Sequence, residues 1–287
     1  MKRVLVVGAG SYIGDSFAKY AQGRLDVDVV DSYEEWKNTS FENYDSILMA
    51  AGLAHQKWNK KQQRANKDLY FTVNRDLPIK VAKKAKAAGV GQFIYLSSMA
   101  VYGLVEGEIG VDTVPSPRAF DYYGLSKYQA EEGLLGVLGG DAATRLCIIR
   151  PPMVYGAGCP GKFASLVKVA KVLPVIPKVE NKRSMIYINN LSELLCIVVE
   201  KDISGCLKPH NKEYVGTAWL LGAISKAFGR RKRIMPGVGW FVRCAEAVSP
   251  AAKTAFGSLY YTEVVARMPF EGDYQLVGLE ESVVRSV

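Results

Sequence analysis

The chain has 287 residues, of which 49% are hydrophobic and 23% are charged. This balance is typical of a folded globular protein, so it excludes a disordered chain; the 27 glycines follow no triplet period, which excludes a collagen-like one. The length allows one large domain or two modest ones. Because 37 basic residues outnumber 28 acidic ones, the net charge is +9. That charge permits nucleic acid, a membrane surface or a phosphorylated substrate as partner and selects none of them.

The cysteines and the N-terminal residues indicate a reducing compartment. Five cysteines are scattered without a CxxC pair and only two histidines are present, so we expect neither a disulfide framework nor a metal site. The apolar run after Met1-Lys2-Arg3 breaks at Gly8, too early for a secretory signal. No stretch approaches about 18 apolar residues, so no membrane span is expected. The expected location is the cytoplasm.

The first half of the chain alternates short apolar runs with longer amphipathic segments. Five runs predict buried strands: Val4–Val7, Val27–Val30, Ser46–Ala50, Gln92–Ser97 and Arg145–Ile149. Helices are predicted over Tyr12–Gln22, from about Asn59 to Ala88, and over Tyr122–Leu138. This alternation predicts an α/β protein with a doubly wound parallel sheet.

A glycine-rich turn follows the first predicted strand and opens the first predicted helix. Glycines there let the backbone turn tightly, approach a diphosphate and pack the helix on the strand, while the helix N-terminus offers N–H groups to the anion. The turn therefore predicts a dinucleotide site. Its expected contacts are Gly8, Gly10, Ser11, Tyr12, Ile13 and Gly14.

Asp31 follows the second predicted strand. A carboxylate at that place can accept hydrogen bonds from an adenosine ribose and would repel a 2′-phosphate, so it favours NAD over NADP. The alternative for Asp31 is an ordinary turn residue at the surface.

Prolines become frequent after Arg150. We therefore predict a dinucleotide-binding domain over 1–150 and a smaller substrate-binding lobe over 151–287, parts of which could return to the sheet.

Tyr123 and Lys127 are four residues apart and so share one face of a helix. A phenol with a pKa near 10 is a poor base at neutral pH, and a nearby cation lowers that pKa. The pair is thus suited to proton transfer, although a surface tyrosine with a solvated lysine would give the same pattern. Ser97-Ser98 ends a predicted strand, where parallel sheets bind ligands.

These motifs, in this order, resemble the extended short-chain dehydrogenase/reductase group, the NAD-dependent epimerase/dehydratase family with its Rossmann fold. The resemblance covers nearly the whole chain. It is carried by the glycine turn, Ala50-Ala51-Gly52, Asn74 in TVNRDL, FIYLSSMAVYG (Phe93–Gly103), Tyr123 with Lys127, RPPMVYG (Arg150–Gly156) and NKRSMIYINNL (Asn181–Leu191).

The resemblance implies roles for individual residues. Tyr123 would exchange a proton with a sugar hydroxyl, Ser98 would hydrogen-bond the same oxygen, and Lys127 would hold the nicotinamide ribose and depress the tyrosine pKa. Arg183 would bind the diphosphate of a nucleotide sugar, and the helices around 59–88 and 122–138 would form a homodimer. Further cofactor contacts are implied at Ala50, Ala51, Gly52, Asn74, Lys127 and Arg150.

Two positions depart from the family pattern. Ser11 stands where the second glycine of the turn is usual, which predicts a slightly shifted turn. Lys162 precedes Phe163 where relatives commonly carry Asn, and it is either a phosphate contact within the substrate site or an exposed lysine.

The resemblance implies a UDP-glucose or UDP-N-acetylglucosamine 4-epimerase that oxidises C4 transiently, in surface polysaccharide precursor synthesis. One alternative is an NAD(P)H-dependent reductase of a nucleotide-linked 4-keto-6-deoxy sugar, and another is a non-catalytic NAD-binding regulator. Dehydration is disfavoured because Met99 and Ala100, not carboxylates, follow Ser98.

Two features outside these motifs leave alternatives open. Residues 230–242 begin with four cations and end near Trp240-Phe241, so they predict either peripheral membrane contact or a solvated turn. No nucleic-acid-binding signature is present. His55 follows the third predicted strand, and a structural histidine is favoured there over a catalytic one.

Overall fold

A parallel sheet forms the centre of the molecule. The computed structural model describes residues 1–54, 58–140, 143–236 and 256–287. The sheet strands are, in chain order, β1 (Arg3–Val7), β2 (Asp26–Val30), β3 (Ser46–Met49), β4 (Gln92–Leu96), β6 (Arg145–Ile149) and β10 (Gly205–Leu207). Every neighbouring pair is parallel, in the order β10-β6-β4-β3-β1-β2. This is the predicted doubly wound arrangement, and all five predicted strands are present.

Helices cover both faces of this sheet. The α-helices of the described residues are α1 (Tyr12–Tyr20), α2 (Glu35–Asn38), α3 (Lys60–Ala65), α4 (Lys67–Phe71), α5 (Leu77–Ala87), α6 (Tyr122–Leu138), α7 (Lys162–Val172), α8 (Ile188–Glu200), α9 (Thr217–Ala227), α10 (Glu263–Ala266) and α11 (Leu279–Val284), and those that pack on the sheet are α1, α2, α5, α6 and α8. The core on one face joins β1 to α1 and α8. The core on the other face joins β1 to α5 and α6. The inner strands β1, β3 and β4 are therefore buried on both sides, which explains their apolar runs, whereas the edge strand β2 alternates Asp with Val and is partly exposed.

The segment predicted as helical from Asn59 to Ala88 is not one continuous helix. α3 and α4 are separated at Asn66, and a wider π-helical turn at Thr72–Asp76 precedes α5. Pro78 has no N–H group for the carbonyl of Asn74, four residues earlier. The Tyr95 hydroxyl donates to that carbonyl instead, at 2.9 Å. π-turns of this kind are frequent at functional sites.

The rest of the chain builds a second core from α7, α9 and α11. Small parallel pairs join distant segments: β5 (Gly107–Ile109) with β12 (Leu259–Tyr261), β7 (Met153–Tyr155) with β9 (Met185–Tyr187), and β8 (Ile176–Pro177) with β11 (Ile234–Met235). β10 also comes from this half, and it extends the central sheet beside β6. Across the described ranges, no helix has both the length and the apolar character needed to cross a bilayer.

Candidate active site

The glycine turn lies at the carboxyl end of β1. Gly8 leaves the strand with φ of +133°, and a Cβ atom there would lie 2.5 Å from the backbone nitrogen of Ala51. Gly10 has φ of +79°, but the space beside it is open. At Gly14 a Cβ atom would lie 3.0 Å from the Ala50 Cβ, so this glycine packs α1 against the sheet. The three glycines thus allow the tight turn, the close approach and the packing that a diphosphate site requires.

Ser11, which stands in place of the usual second glycine, begins α1 as its N-cap. Its hydroxyl accepts the N–H of Gly14 at 3.4 Å and donates to the Ala50 carbonyl at 2.9 Å. Tyr12 and Ile13 follow at the first two positions of α1, whose N–H groups have no carbonyl partner within the helix. The serine therefore caps the helix and leaves these two groups at its positive end.

Gly8→Ala is expected to weaken dinucleotide binding at least tenfold and to lower the free energy of unfolding by about 3 kcal/mol, from overpacking and backbone strain together. Gly23→Ala is the matched control, because Gly23 has φ of +78° and open space around it. Fluorescence titration with NAD and urea unfolding would measure both effects. If Gly8→Ala and Gly23→Ala lost NAD affinity and unfolding free energy equally, the close contact of Gly8 with Ala51 would be unimportant.

Asp31 directly follows β2 and carries an ionised carboxylate. Its Oδ1 accepts the backbone N–H groups of Tyr33 at 2.7 Å and Glu34 at 2.9 Å. These bonds, with that from Glu34 the strongest, lower the pKa of Asp31 below its usual value. The side chain is therefore a fixed negative charge at the carboxyl edge of the sheet.

The loop after β3 brings the predicted cofactor contacts close to the predicted catalytic lysine. Ala50 and Ala51 donate their N–H groups to the Val7 carbonyl at 3.0 and 2.9 Å, which holds the loop beside the glycine turn. A Cβ atom on Gly52 would lie 3.2 Å from the Lys127 Nζ. A residue larger than glycine would therefore crowd the ammonium group.

Asn74 connects this loop to α6. Its side-chain oxygen accepts the N–H of Leu53 at 2.7 Å, and its amide nitrogen donates to the Leu53 carbonyl and to the Ser126 hydroxyl, both at 3.1 Å. The side chain is fully buried. All its bonds in the structure hold other parts of the site in place, so its role as a cofactor contact stays a prediction.

Ser98, Tyr123 and Lys127 meet at the carboxyl end of β4. Ser98 caps the 3₁₀ turn Met99–Tyr102, and its hydroxyl accepts the N–H of Ala100 at 3.1 Å. Tyr123 and Lys127 lie one turn apart near the start of α6. A Cβ atom on Gly124 would lie 2.7 Å from the Ala100 carbonyl oxygen. This glycine therefore lets the start of α6 approach the turn that carries Ser98.

The Tyr123 hydroxyl is held in its protonated form. Burial raises the pKa of Tyr123 above 10, a hydrogen bond with Ser98 lowers it, and the charge of Asp121 raises it. The tyrosine nevertheless keeps partial solvent access. A side chain that is surrounded by protein but still reached by solvent is typical of a concave site. The hydrogen bond with Ser98 favours the ionised form of Tyr123.

Lys127 is buried beneath the tyrosine. Its Nζ donates to the Leu96 carbonyl at 2.7 Å and lies 4.7 Å from the centre of the Tyr95 ring. Burial lowers the pKa of Lys127 to about 7, although the charge of Glu131 opposes that shift. The predicted effect of Lys127 on the Tyr123 pKa is not visible in these contacts and stays a prediction.

The lowered pKa of Lys127 makes stability depend on pH. Above about pH 7 the folded protein loses a proton that the unfolded chain keeps up to its ordinary pKa of 10.5, so the free energy of unfolding rises with pH in this window. The rise contributed by Lys127 is at most about 1.4 kcal/mol per pH unit. Lys127→Met is expected to remove it.

Urea unfolding between about pH 7 and pH 8.5 would measure this difference, and Lys83→Met, on the exposed side of α5, is the control. If the free energy of unfolding changed with pH equally in wild type and in Lys127→Met, the interpretation of Lys127 as a buried lysine with a lowered pKa would be contradicted.

A buried ion pair stands behind the three predicted catalytic residues. Glu131 receives two bonds from the Arg150 guanidinium, from Nε at 3.0 Å and from Nη2 at 2.5 Å. Ser97 also donates to Glu131 through a short bond, and Arg150 donates to the Tyr102 hydroxyl at 2.9 Å. Arg150 was predicted as a cofactor contact. In the structure its guanidinium donates hydrogen bonds to Glu131 and Tyr102.

Sequence analysis missed Glu131. It lies four residues after Lys127, just as Lys127 lies four after Tyr123, so the three share one face of α6. That spacing could have identified it. Asp121 was also missed: it caps α6 by accepting the N–H of Gly124 at 3.1 Å.

Lys162 and Arg183 form a pair of cations on the side of the second core. Lys162 begins α7, and Arg183 is buried with Nη1 donating to the Gly257 carbonyl at 2.6 Å. Burial lowers the pKa of both groups, and the charge of Arg183 lowers that of Lys162 further. Asp121 acts on both Lys162 and Tyr123. The Lys162 side chain is exposed to solvent, whereas Arg183 is buried.

Tyr102 and Tyr155 are buried, and Tyr155 bonds to Ser282 and Asn211. His55 lies outside the described residues.

Comparison with known proteins agrees with this geometry. The family model "NAD dependent epimerase/dehydratase family" matches residues 4–206. A UDP-glucose 4-epimerase of Vibrio cholerae is 30% identical over 224 residues, which are 69% of this chain and 67% of that enzyme.

Another curated relative is the N-acetyl-alpha-D-glucosaminyl-diphospho-ditrans,octacis-undecaprenol 4-epimerase of Escherichia coli O157:H7, 24% identical over 211 residues. The match spans 67% of this chain but only 61% of that protein. The NAD complex of a UDP-glucuronic acid 4-epimerase from Bacillus cereus superposes with a TM-score of 0.72 at 17% identity, covering 99% of this chain and 97% of the other. This last likeness supports the fold.

Proposed function

We propose that this chain, which belongs to the NAD-dependent epimerase/dehydratase family, is a nucleotide-sugar 4-epimerase of the UDP-glucose or UDP-N-acetylglucosamine type. One observation carries the proposal. Ser98, Tyr123 and Lys127 lie together at the carboxyl end of β4, where Gly52, in the loop held beside the glycine turn, packs against Lys127, and where the charge of Asp121 acts on both Tyr123 and Lys162.

The glycine turn fits a dinucleotide. A side chain at Gly8 would collide with Ala51, and the space at Gly10 is open, so the backbone itself can contact a diphosphate at the start of α1. The ionised Asp31 carboxylate would bind the adenosine ribose and repel a 2′-phosphate, which supports NAD over NADP. Bound NAD would accept a hydride from the sugar carbon C4 and later return it.

Tyr123 and Ser98 would handle the proton of the C4 hydroxyl. In its ionised form, Tyr123 would take this proton as the C4 alcohol is oxidised, and it would give the proton back when the 4-keto sugar is reduced on its other face. Ser98 hydrogen-bonds Tyr123 and favours that ionised form. Lys127, one turn away, would favour it as well when it carries its proton.

Lys162 and Arg183 would hold the diphosphate of the nucleotide sugar. Two cations close to each other repel, and a diphosphate between them would relieve that repulsion. Within the described residues Arg183 has no carboxylate partner in an ion pair, so its buried guanidinium is the stronger candidate for an anion contact. The Lys162 side chain is exposed to solvent, so a phosphate contact and an ordinary exposed lysine both stay open there.

Mass and absorbance analysis of the denatured protein, followed by incubation with UDP-glucose and with UDP-N-acetylglucosamine, tests the proposal. A bound equivalent of NAD and formation of the 4-epimer without added cofactor are expected. The reductase alternative, which uses the same three residues once, predicts instead NAD(P)H consumption that requires a 4-keto sugar. A regulator without catalysis would bind NAD and convert neither sugar.

We propose a homodimer formed through the helices α4 and α6. Leu69 on α4 and Leu135 on α6 are exposed, and α4 packs against α6, so both could join one interface. We also propose a cytoplasmic location and a role in surface polysaccharide precursor synthesis. Peripheral contact through 230–242 also stays a proposal, and only residues 230–236 of that segment lie within the described residues.

A further inference from the structure

The structure brings two basic segments together that are far apart in the chain. Residues 228–235 run beside the end of α7 and β8. Arg230 donates to the Lys171 carbonyl at 2.7 Å, and Lys232 forms a short bond to the Ala170 carbonyl. β11 then pairs with β8. The two segments therefore make one continuous surface.

This surface, named here the basic face, carries cations around exposed apolar side chains. Its cations are Lys168, Lys171, Lys178, Arg230, Arg231, Lys232 and Arg233. The sequence over 162–180 and 226–236 has a single acidic residue, Glu180, which pairs with Lys178 at 3.5 Å. Val172, Ile234 and Met235 are 79%, 48% and 40% exposed. None of these residues takes part in the site described above.

We propose that the basic face docks the protein on an anionic lipid bilayer. Lys and Arg side chains are attracted to negatively charged headgroups, and apolar side chains among them can enter the boundary of the acyl chains. Nucleic acid would match the cations as well, but it would gain nothing from Val172, Ile234 and Met235. The combination of both residue types on one surface therefore favours a membrane. This inference is independent of the proposed epimerase activity.

Co-sedimentation with sucrose-loaded vesicles tests the proposal. The wild-type protein is expected to bind phosphatidylcholine vesicles that contain phosphatidylglycerol, to bind less as salt increases, and to ignore pure phosphatidylcholine. Arg231→Gln with Arg233→Gln should lower partitioning roughly 25-fold, at about 1 kcal/mol for each cation. Val172→Ser should lower it several-fold.

Lys19→Gln with Arg267→Gln is the matched control, because both residues are exposed and lie outside the basic face. This pair changes the net charge equally and should leave vesicle binding nearly unchanged. Failure to bind anionic vesicles, or equal losses in the two double variants, would overturn the proposal. Tighter binding to duplex DNA, insensitive to Val172→Ser, would replace it with nucleic-acid binding.

Discussion

Tyr123→Phe is expected to lower kcat by about 10²–10⁴-fold, the usual contribution of a general acid–base group. The change removes one hydroxyl and keeps the ring, so α6 and the NAD site remain intact. KM for the nucleotide sugar should change little, because the diphosphate contacts Lys162 and Arg183 are untouched. Steady-state kinetics with UDP-glucose, together with an NAD titration, would measure both effects.

Tyr122→Phe is the matched control. Tyr122 begins α6 directly before Tyr123, and its ring lies 6.4 Å from that of Tyr70. Loss of its hydroxyl should leave kcat within about twofold of wild type. Near-normal turnover in Tyr123→Phe would show that another group takes the C4 proton.

Glu131→Gln is expected to lower the free energy of unfolding by about 3–5 kcal/mol, because it leaves the Arg150 charge buried without its partner. The pair is held by two bonds, and both side chains are largely shielded from solvent. Urea unfolding would measure the loss. The neighbouring exposed carboxylate, in Glu132→Gln, should cost less than about 0.5 kcal/mol.

Two further measurements separate the structural role of Glu131 from its effect on the site. Replacing both partners, as Glu131→Leu with Arg150→Met, should recover much of the stability, because no unpaired charge remains. The charge of Glu131 raises the pKa of Lys127. The loss of activity with rising pH is therefore expected to begin at a lower pH in Glu131→Gln than in wild type. An unchanged pH profile would mean that Glu131 acts on stability alone.

The sequence alone predicted the sheet and the order of the site motifs well. The apolar runs identified β1, β3, β4 and β6 because strands that are largely buried on both faces consist mainly of apolar residues. β2, at the edge of the sheet, was identified from its valines although Asp28 interrupts them. Tyr122–Leu138 was predicted with the bounds that α6 has. The glycine turn was recognisable because its glycines serve three separate structural purposes, which are the tight turn, the close approach to a diphosphate and the packing of α1 on the sheet.

What the sequence could not predict depends on contacts between distant segments. At the π-turn the Asn74 carbonyl, for which Pro78 has no N–H group, accepts a hydrogen bond from Tyr95 on the distant strand β4. The ion pair of Glu131 with Arg150 joins α6 to the end of β6, and nothing in the local sequence of either residue indicates the other. The basic face has the same origin, since its two halves are joined by the pairing of β8 with β11 and by the bonds of Arg230 and Lys232 to the end of α7.

In the proposed reaction the sugar is oxidised and then reduced at C4 within one active site. UDP-glucose that carries deuterium at C4, incubated with the protein in ordinary water, tests this reaction when the product is analysed by NMR. The expected product is a 4-epimer that still carries the deuterium at C4, because the hydride leaves and returns without exchange with solvent. A 4-epimer that has lost its deuterium, or no epimer at all, would show that the reaction is a different one.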